Sequence, residues 1–370
     1  MPQIKLEHVT KRFDKFVAVD DLNMLISEHD FITLLGPSGC GKTTTLRMIA
    51  GLETPTEGKI TIGDRVVFDS EKGINISPAK RDIGFLFQNY ALWPHMTVYQ
   101  NIAFGLENLK WKKEDIKKRV DEMLKLLKIE EFVERYPAEL SGGQQQRVAI
   151  ARTLAPKPQV LFMDEPLSNL DAKLRSEMRT ELKRLHSDSN STFVYVTHDQ
   201  LEAMTLATKV CLMKNGVLQQ YDPPLTVYKQ PSNLFVADFV GNPTMNFIKA
   251  KAEQTKEAVS VEFLGLKAEF KPNEKFELKH KNVILGVRPE FFTIADKGPI
   301  SATAYSTLPS GMETTVKLSL GGELLSSVVF GAIDFEVDQK VKCDIVGKQI
   351  CLFDVKSGNR IAMGSLKIEK

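Results

Sequence analysis

The run Gly36-Pro37-Ser38-Gly39-Cys40-Gly41-Lys42-Thr43 constrains this chain more than any other stretch. It fits G-x-x-x-x-G-K-[ST], with apolar "FITLL" before it and helix-forming "TTTLRMIAGL" after it. Glycines let the backbone wrap an anion, so that N–H groups and the start of the following helix point at it. Lys42 is placed to reach the β- and γ-phosphates of a nucleotide, and the Thr43 hydroxyl to ligate Mg²⁺. Ser38, Gly39, Cys40, Gly41 and Thr44 complete the candidate phosphate-binding run, in which Cys40 reads as a small filler beside glycines rather than a redox sensor.

The surrounding pattern alternates strand and helix up to about residue 235. "FITLLG" (31–36), "VLFMD" (160–164) and "FVYVTHD" (193–199) are short apolar runs ending in small or polar residues, as buried parallel strands do. Between such runs, Ile116, Val120, Met123, Leu124 and Leu127 share one helical face, and Leu174, Met178, Leu182 and Leu185 share another. An α/β core with a mostly parallel sheet follows. After "GNPTMNF" the texture changes to short strand-like runs, "VILGVRP", "TTVKLSL" and "QICLFDV", which predict a small β-sandwich or barrel over 236–370.

Composition excludes several classes. A formal charge of +2 over 370 residues gives no field for nucleic acid or anionic lipid. The four cysteines, Cys40, Cys211, Cys343 and Cys351, make neither a metal spacing nor a disulfide framework, and a reduced cytosolic setting is expected. The first residues lack a basic-then-apolar leader, and no run approaches the ~20 apolar residues of a membrane span. Any membrane role is therefore expected to come through a partner.

Further candidates stand at the ends of apolar runs. In "VLFMDEP", Asp164 and Glu165 point to opposite sides, so Asp164 is expected to hold Mg²⁺ and Glu165 to polarise an attacking water. His198, in "VYVTHD", is placed to donate to the γ-phosphate or the water, since ligands bind at the carboxyl ends of open parallel sheets. Gln88, in "FLFQNYALWP", offers a neutral oxygen to Mg²⁺ or water. Phosphoryl transfer to water also needs charge compensation on the equatorial oxygens, and these residues leave it incomplete. "LSGGQQQRVAIAR" supplies a second helix start at Ser141, Gly142 and Gly143. In a two-fold dimer each such start would close over the other subunit's phosphate loop and make two equivalent ATP sites.

These motifs, in this order and spacing, resemble those of ABC-type ATPases, and among them the ATPase subunits of maltose and multiple-sugar importers. "GNPTMNFI", "ILGVRPE", "ETTVKLSL", "CLFD" and "SGNRI" resemble that branch's C-terminal regulatory domain. The resemblance implies a nucleotide-binding domain over 1–235, with a helical subdomain at about 89–155, and an OB-like all-β domain over 236–370. It implies that Phe13 stacks on adenine and that Gln88 ligates Mg²⁺ and reports nucleotide state. Ser141, Gly143 and Gln144 would contact ATP on the partner subunit, with Asp171 at the seam. The surface at residues 90–97, with apolar Leu92, Trp93 and Met96 exposed, would receive a helix of a membrane subunit, unless Trp93 packs under the helical subdomain. The implied assembly is a homodimer with two transmembrane permease subunits and an extracytoplasmic solute-binding protein, without nucleic acid. It would sit peripherally on the cytoplasmic face of the membrane and touch it only through the permease. The implied cargo is carbohydrate, with polyamine, iron, sulfate or glycerol phosphate as the alternative. "TLPSGMETT" departs from the branch's pattern, and the lysines near 271–281 read as a solvated face. A soluble ABC protein working on DNA or ribosomes would need coiled-coil insertions or a second cassette, and neither is seen.

Overall fold

Strands Phe31–Leu35, Thr192–Val196, Val160–Asp164 and Ile83–Leu86 lie side by side in that order, all parallel. Lys209–Lys214 joins in parallel on the other side of Phe31–Leu35, and Val217–Asp222 closes the sheet's edge antiparallel. The computed structural model that defines this arrangement describes residues 2–168, 170–189, 191–254 and 259–369; Asn169, within the "SNLD" run, lies outside the described residues. Phe31–Leu35, Val160–Asp164 and Thr192–Val196 are buried at every residue because both faces of the sheet are covered.

Side chains leave these strands alternately. Phe31, Leu161, Met163, Phe193 and Tyr195 enter a core shared with helices, whereas Ile32, Leu34, Phe162, Val194 and Val196 enter a second core on the opposite face. That second core lies beneath α1 (Lys42–Ala50) and an antiparallel sheet ordered Phe16–Ile26, Ile4–Phe13, Glu57–Ile62, Arg65–Asp69, Ile74–Asn75. Strand–helix alternation over 1–235 does not anticipate this layer. Arg81, 3% exposed, fastens it to α1 by donating to the carbonyls of Met48, Ile49, Ile76 and Val67. The guanidinium serves the last carbonyls of α1, which the helix itself leaves unpaired, and burial pushes its pKa down to about 10.

The other face carries α2 (Val98–Asn108), α3 (Lys113–Leu127) and α4 (Gly142–Leu154). A capping box between Thr97 and Gln100 starts α2. Helix α3 buries Ile116, Val120, Met123, Leu124 and Leu127, the five residues of its sequence stripe. Helix α5 (Ala172–Asp188) adds Met178 and Leu182, with Leu174 and Leu185 partly buried against the same core, and α6 (Gln200–Leu206) follows.

The chain divides into compact units 1–224 and 225–370, so residues 225–235 go with the second unit rather than the first. The reason lies in α7 (Pro224–Lys229) and α8 (Leu234–Phe239). Ala237 packs with Met245, Cys351 and Phe353. Arg288, 1% exposed, donates to the carbonyls of Tyr228, Ala237 and Val240. The second unit contains a closed barrel of strands Asn246–Gln254, Val259–Phe263, Leu266–Pro272, Arg360–Ile368, Ile350–Asp354 and Asn282–Val287, as the OB-like expectation requires. A further sheet orders Phe292–Ile294, Lys340–Ile345, Ile300–Pro309, Glu313–Leu320 and Glu323–Phe330. Lys271 and Lys281 are exposed and paired with Glu269 and Glu253, a solvated face.

Candidate active site

Parallel pairing puts the carboxyl ends of neighbouring strands in a row. Phe31–Leu35 runs into the phosphate loop, Thr192–Val196 into His198, Val160–Asp164 into Glu165, and Ile83–Leu86 toward Gln88. Residues far apart in sequence thus meet at one edge, where open α/β sheets bind ligands.

The loop's shape depends on two glycines. At Gly36 (φ 150°) a Cβ would lie 2.3 Å from the Met213 carbonyl oxygen, and at Gly41 (φ 101°) 2.4 Å from that of Ala18. No side chain fits either place. Ser38 and Gly39 are exposed, Thr43 and Thr44 half-buried. Cys40 is buried and burial raises its thiol pKa, which leaves it a neutral filler. Lys42 is buried, with Nζ donating to the carbonyls of Gly36 (2.7 Å) and Pro37 (3.0 Å).

Three contacts tie the edge together. Thr43 Oγ1 donates to Asp164 Oδ1 at 2.9 Å, Gln88 Nε2 to Glu165 Oε2 at 3.5 Å, and His198 Nδ1 lies 3.3 Å from Glu165 Oε2. The two adjacent carboxylates do face different neighbours. Glu165 adopts a left-handed backbone (φ 48°), a conformation unusual for its side chain, while its N–H donates to the Val196 carbonyl. Asp164 is 2% exposed, and burial raises its pKa against the Thr43 hydrogen bond and the Arg47 guanidinium 3.6 Å away. Among the described residues no group of three or more His, Cys, Asp or Glu forms a metal cage. Mg²⁺ does not need one, because it takes one or two protein oxygens and fills its octahedron with phosphates and water. The Thr43 hydroxyl and Asp164 carboxylate are such hard donors.

The remaining candidates stand apart from this cluster. Ser141 caps α4 in a reciprocal box with Gln144, whose N–H donates to Ser141 Oγ and whose Oε1 accepts from the Ser141 N–H. A Cβ on Gly143 would meet Leu174 at 2.7 Å. Asp171 caps α5 by accepting from the Leu174 N–H at 3.0 Å. Phe13, 44% exposed at the end of its strand, carries the Lys11 ammonium 4.6 Å above its ring. Among the described residues no hydrogen bond or ion pair joins Ser141, Gln144 or Asp171 to the Glu165 cluster. The expectation that Leu92, Trp93 and Met96 are exposed is corrected: all three are half-buried. Leu92 packs on the helical core, and the Trp93 ring lies 4.3 Å from that of Phe104.

Sequence reasoning passed over two sets of residues. Arg152, near the end of α4, donates to the carbonyls of Tyr90 (2.7 Å) and Ala91 (2.6 Å) and stacks over Trp93. It holds two left-handed residues of the segment after Gln88. Behind His198, the buried Glu202 accepts from the hydroxyls of Tyr195 and Thr197, each at 2.7 Å. A charged residue in the quoted run "THDQLEAMTLA" was the signal available for the second set, and an arginine closing "LSGGQQQRVAIAR" for the first.

An anion-wrapping loop beside hard oxygen donors, with a carboxylate and an imidazole on the next strands, suits transfer of a nucleotide's terminal phosphoryl group to water. The fold and this edge define a P-loop nucleotide hydrolase. Comparison with known proteins narrows the class. Residues 19–168 match the family model described as ABC transporter, and residues 241–292 that of the MalK OB fold domain. The trehalose/maltose import ATP-binding protein MalK of Thermococcus litoralis is 44% identical over 98% of this chain and 100% of its own length. The oligosaccharides import ATP-binding protein MsmX of Bacillus subtilis is 42% identical over 98% of this chain and 95% of its own. A dimeric, post-hydrolysis structure of the ATP-binding cassette MJ0796 bound to ADP and Pi covers 60% of this chain and 98% of its own, with a TM-score of 0.53 and 35% identity. The chain belongs to the ATP-binding proteins of ABC transporters, in the branch that carries the MalK OB fold domain, and is an ATP-binding ATP hydrolase.

Proposed function

We propose that this protein powers an importer of saccharides, working as a homodimer beneath two transmembrane permease subunits supplied by an extracytoplasmic solute-binding protein. The observation that carries the hydrolytic part is the row of strand ends that sets Thr43 against Asp164 and His198 against Glu165. Saccharide import is what MalK and MsmX are named for, and their match runs through both units; this favours sugar over polyamine, iron, sulfate or glycerol phosphate.

Lys42 exchanges its loop carbonyls for the β- and γ-phosphates, and the amides at the start of α1 face the same anion. Thr43, Asp164 and the Gln88 oxygen would hold Mg²⁺, which would supply charge neutralisation at the phosphates. Glu165 orients the attacking water and takes up its proton. With Nδ1 facing Glu165, His198 would have its other ring nitrogen, Nε2, for the γ-phosphate. Phe13 stacks on the adenine. Ser141, Gly143 and Gln144 of a second copy complete the charge compensation, with Asp171 at the seam. The dimeric MJ0796 cassette supports such a pairing. Residues 90–97 receive the permease, and Arg152 braces that segment from α4. Among the described residues no helix is long and apolar enough to cross a membrane, which fits a peripheral subunit on the cytoplasmic face.

The test is uptake of labelled maltose, trehalose and maltooligosaccharides by cells carrying the native importer and either the parental chain or Glu165→Gln. The parental chain should restore uptake and co-purify with multi-span proteins. Glu165→Gln should bind ATP, keep those partners and lose uptake, with turnover reduced by about 10²–10⁴-fold. Uptake of none of these sugars, or parental hydrolysis by Glu165→Gln, would sink the respective half of the reading.

A further inference from the structure

We propose that Arg175 is a positioning residue for hydrolysis: it brackets the loop carrying His198 to the loop that leaves Glu165 for Asp171. The inference rests on the catalytic reading of Glu165 and His198 above.

Arg175 lies in the first turn of α5, whose N-cap is Asp171. On one side Nη2 donates to the carbonyls of Leu170 (3.0 Å) and Ser168 (3.5 Å). Ser168 in turn donates, through Oγ and its N–H, to the carbonyl of Glu165 at 3.0 and 3.3 Å. On the other side Nη1 donates to Asp199 Oδ2 at 3.5 Å, and Nε faces Glu202 Oε1 at 4.0 Å. Glu202 is 3% exposed, and its other oxygen takes the hydroxyls of Tyr195 and Thr197. Thr197 Oγ1 also accepts from the Asp199 N–H at 2.9 Å, and Asp199 Oδ1 caps α6 through the Leu201 N–H at 2.7 Å. Both chain neighbours of His198 are therefore held by one network, and Arg175 is the member that reaches the Glu165 side.

Stability alone is a poor reason for this arrangement. Arg175 is 30% exposed and Asp199 26%, and ion pairs open to water contribute little net stability. What the guanidinium adds is direction, since its planar fork donates to two carbonyls and one carboxylate and faces a second carboxylate at 4.0 Å. The bracket also has slack. Nε is buried without a hydrogen-bond partner, and the contact to Asp199 exceeds the usual ~2.9 Å by roughly 0.6 Å.

The experiment compares full-length Arg175→Met, Arg175→Lys, Glu202→Gln and His198→Ala. The readouts are kcat and KM for ATP and the ring signals of ¹³C-labelled histidines; the His198 signal is the one missing from His198→Ala. Arg175→Met should lower kcat at least about tenfold with KM within about twofold, the mark of an interaction expressed in the transition state. Its His198 signal should shift while those of the other five histidines stay. Arg175→Lys should recover part of the rate. Parental kcat in folded Arg175→Met, a lowered kcat with the His198 signal unmoved, or movement of all six signals together would each overturn the bracket. If Arg175→Met fails to fold, Arg175→Lys and the isosteric Glu202→Gln decide by the same two readouts. Parental hydrolysis by His198→Ala would instead defeat the catalytic reading, and the signal shift would still decide whether the bracket exists.

Discussion

Two strands in this molecule end almost alike. "VLFMD" in the first unit and "ICLFD" in the second are each five buried residues closing on an aspartate. Their carboxylates nevertheless live in opposite conditions. Asp354 accepts from the N–H groups of Lys356 and Ser357, from the Ser357 hydroxyl and from His280 Nδ1. Those donors, the Ser357 N–H foremost, hold its pKa down to about 2. Asp164 has one short hydrogen bond, from Thr43, and burial raises its pKa. Asp354 takes four donors from its turn and from His280, whereas Asp164 meets the Thr43 hydroxyl and, at 3.6 Å, the Arg47 guanidinium, which on the proposed reading would leave it lone pairs for a metal. A strand-end carboxylate marks a site by what it lacks, and sequence shows the carboxylate but not its partners.

The comparison breaks most sharply on substitution of the first aspartate. Asp164→Asn should cut ATP turnover by at least ~10²-fold, in line with loss of a group that positions charge in a phosphoryl-transfer site. Stability should move the other way. A carboxyl whose folded pKa lies above its unfolded value is stabilising only while protonated, so at neutral pH its charge costs stability and the neutral amide removes that cost. Thermal melting at pH 7 should show Tm unchanged or higher; a clear fall would mean that Asp164 is structural after all.

The next break concerns the second unit alone. Arg288→Met leaves the carbonyls of Tyr228, Ala237 and Val240 without their buried donor, a loss of about 3 kcal/mol on the scale of unmade buried hydrogen bonds. Hydrogen exchange on the full chain should show protection lost in peptides from 225–240 and retained in Phe31–Leu35. Equal loss in both would show that the two units do not hold their stability separately.

How much of this was legible follows the same division. The parallel strands were readable because burial on both faces makes them short and wholly apolar, and α3 because five residues repeat at helical spacing. The antiparallel layer over Ile4–Phe13 was not. Its pairing with Phe16–Ile26 shifts register between Leu6 and Val9 and again beyond Val9, and each shift interrupts the alternation that announces a half-buried strand. The end of the first unit was placed about ten residues late because the apolar texture of α8 reads like what precedes it. Only the fold brings Arg288 from far along the chain to claim those carbonyls. Of the candidate site, the loop, the carboxylates and His198 were readable from their strand ends. Arg175 and Glu202 were not, since an arginine and a glutamate on two helices look like ordinary surface charge until the helices pack.

The smallest effect lies at the second aspartate, and its pH dependence tells the most. In Asp354→Asn the amide oxygen can still accept from the Lys356 and Ser357 N–H groups, as Asn does in such turns, so the turn survives. What goes is the charge and the oxygen facing His280 at 2.7 Å. A depressed folded pKa contributes stability that is complete above the unfolded value, here 3.8, and is lost as pH falls toward about 2. The variant should therefore melt slightly below the parent at pH 5, and the margin should shrink as pH falls from 4 to 3. Tm measured across that series is the check. A margin that persists unchanged at pH 3 would mean that packing of the turn, rather than the carboxylate's charge, separates Asp354 from Asp164.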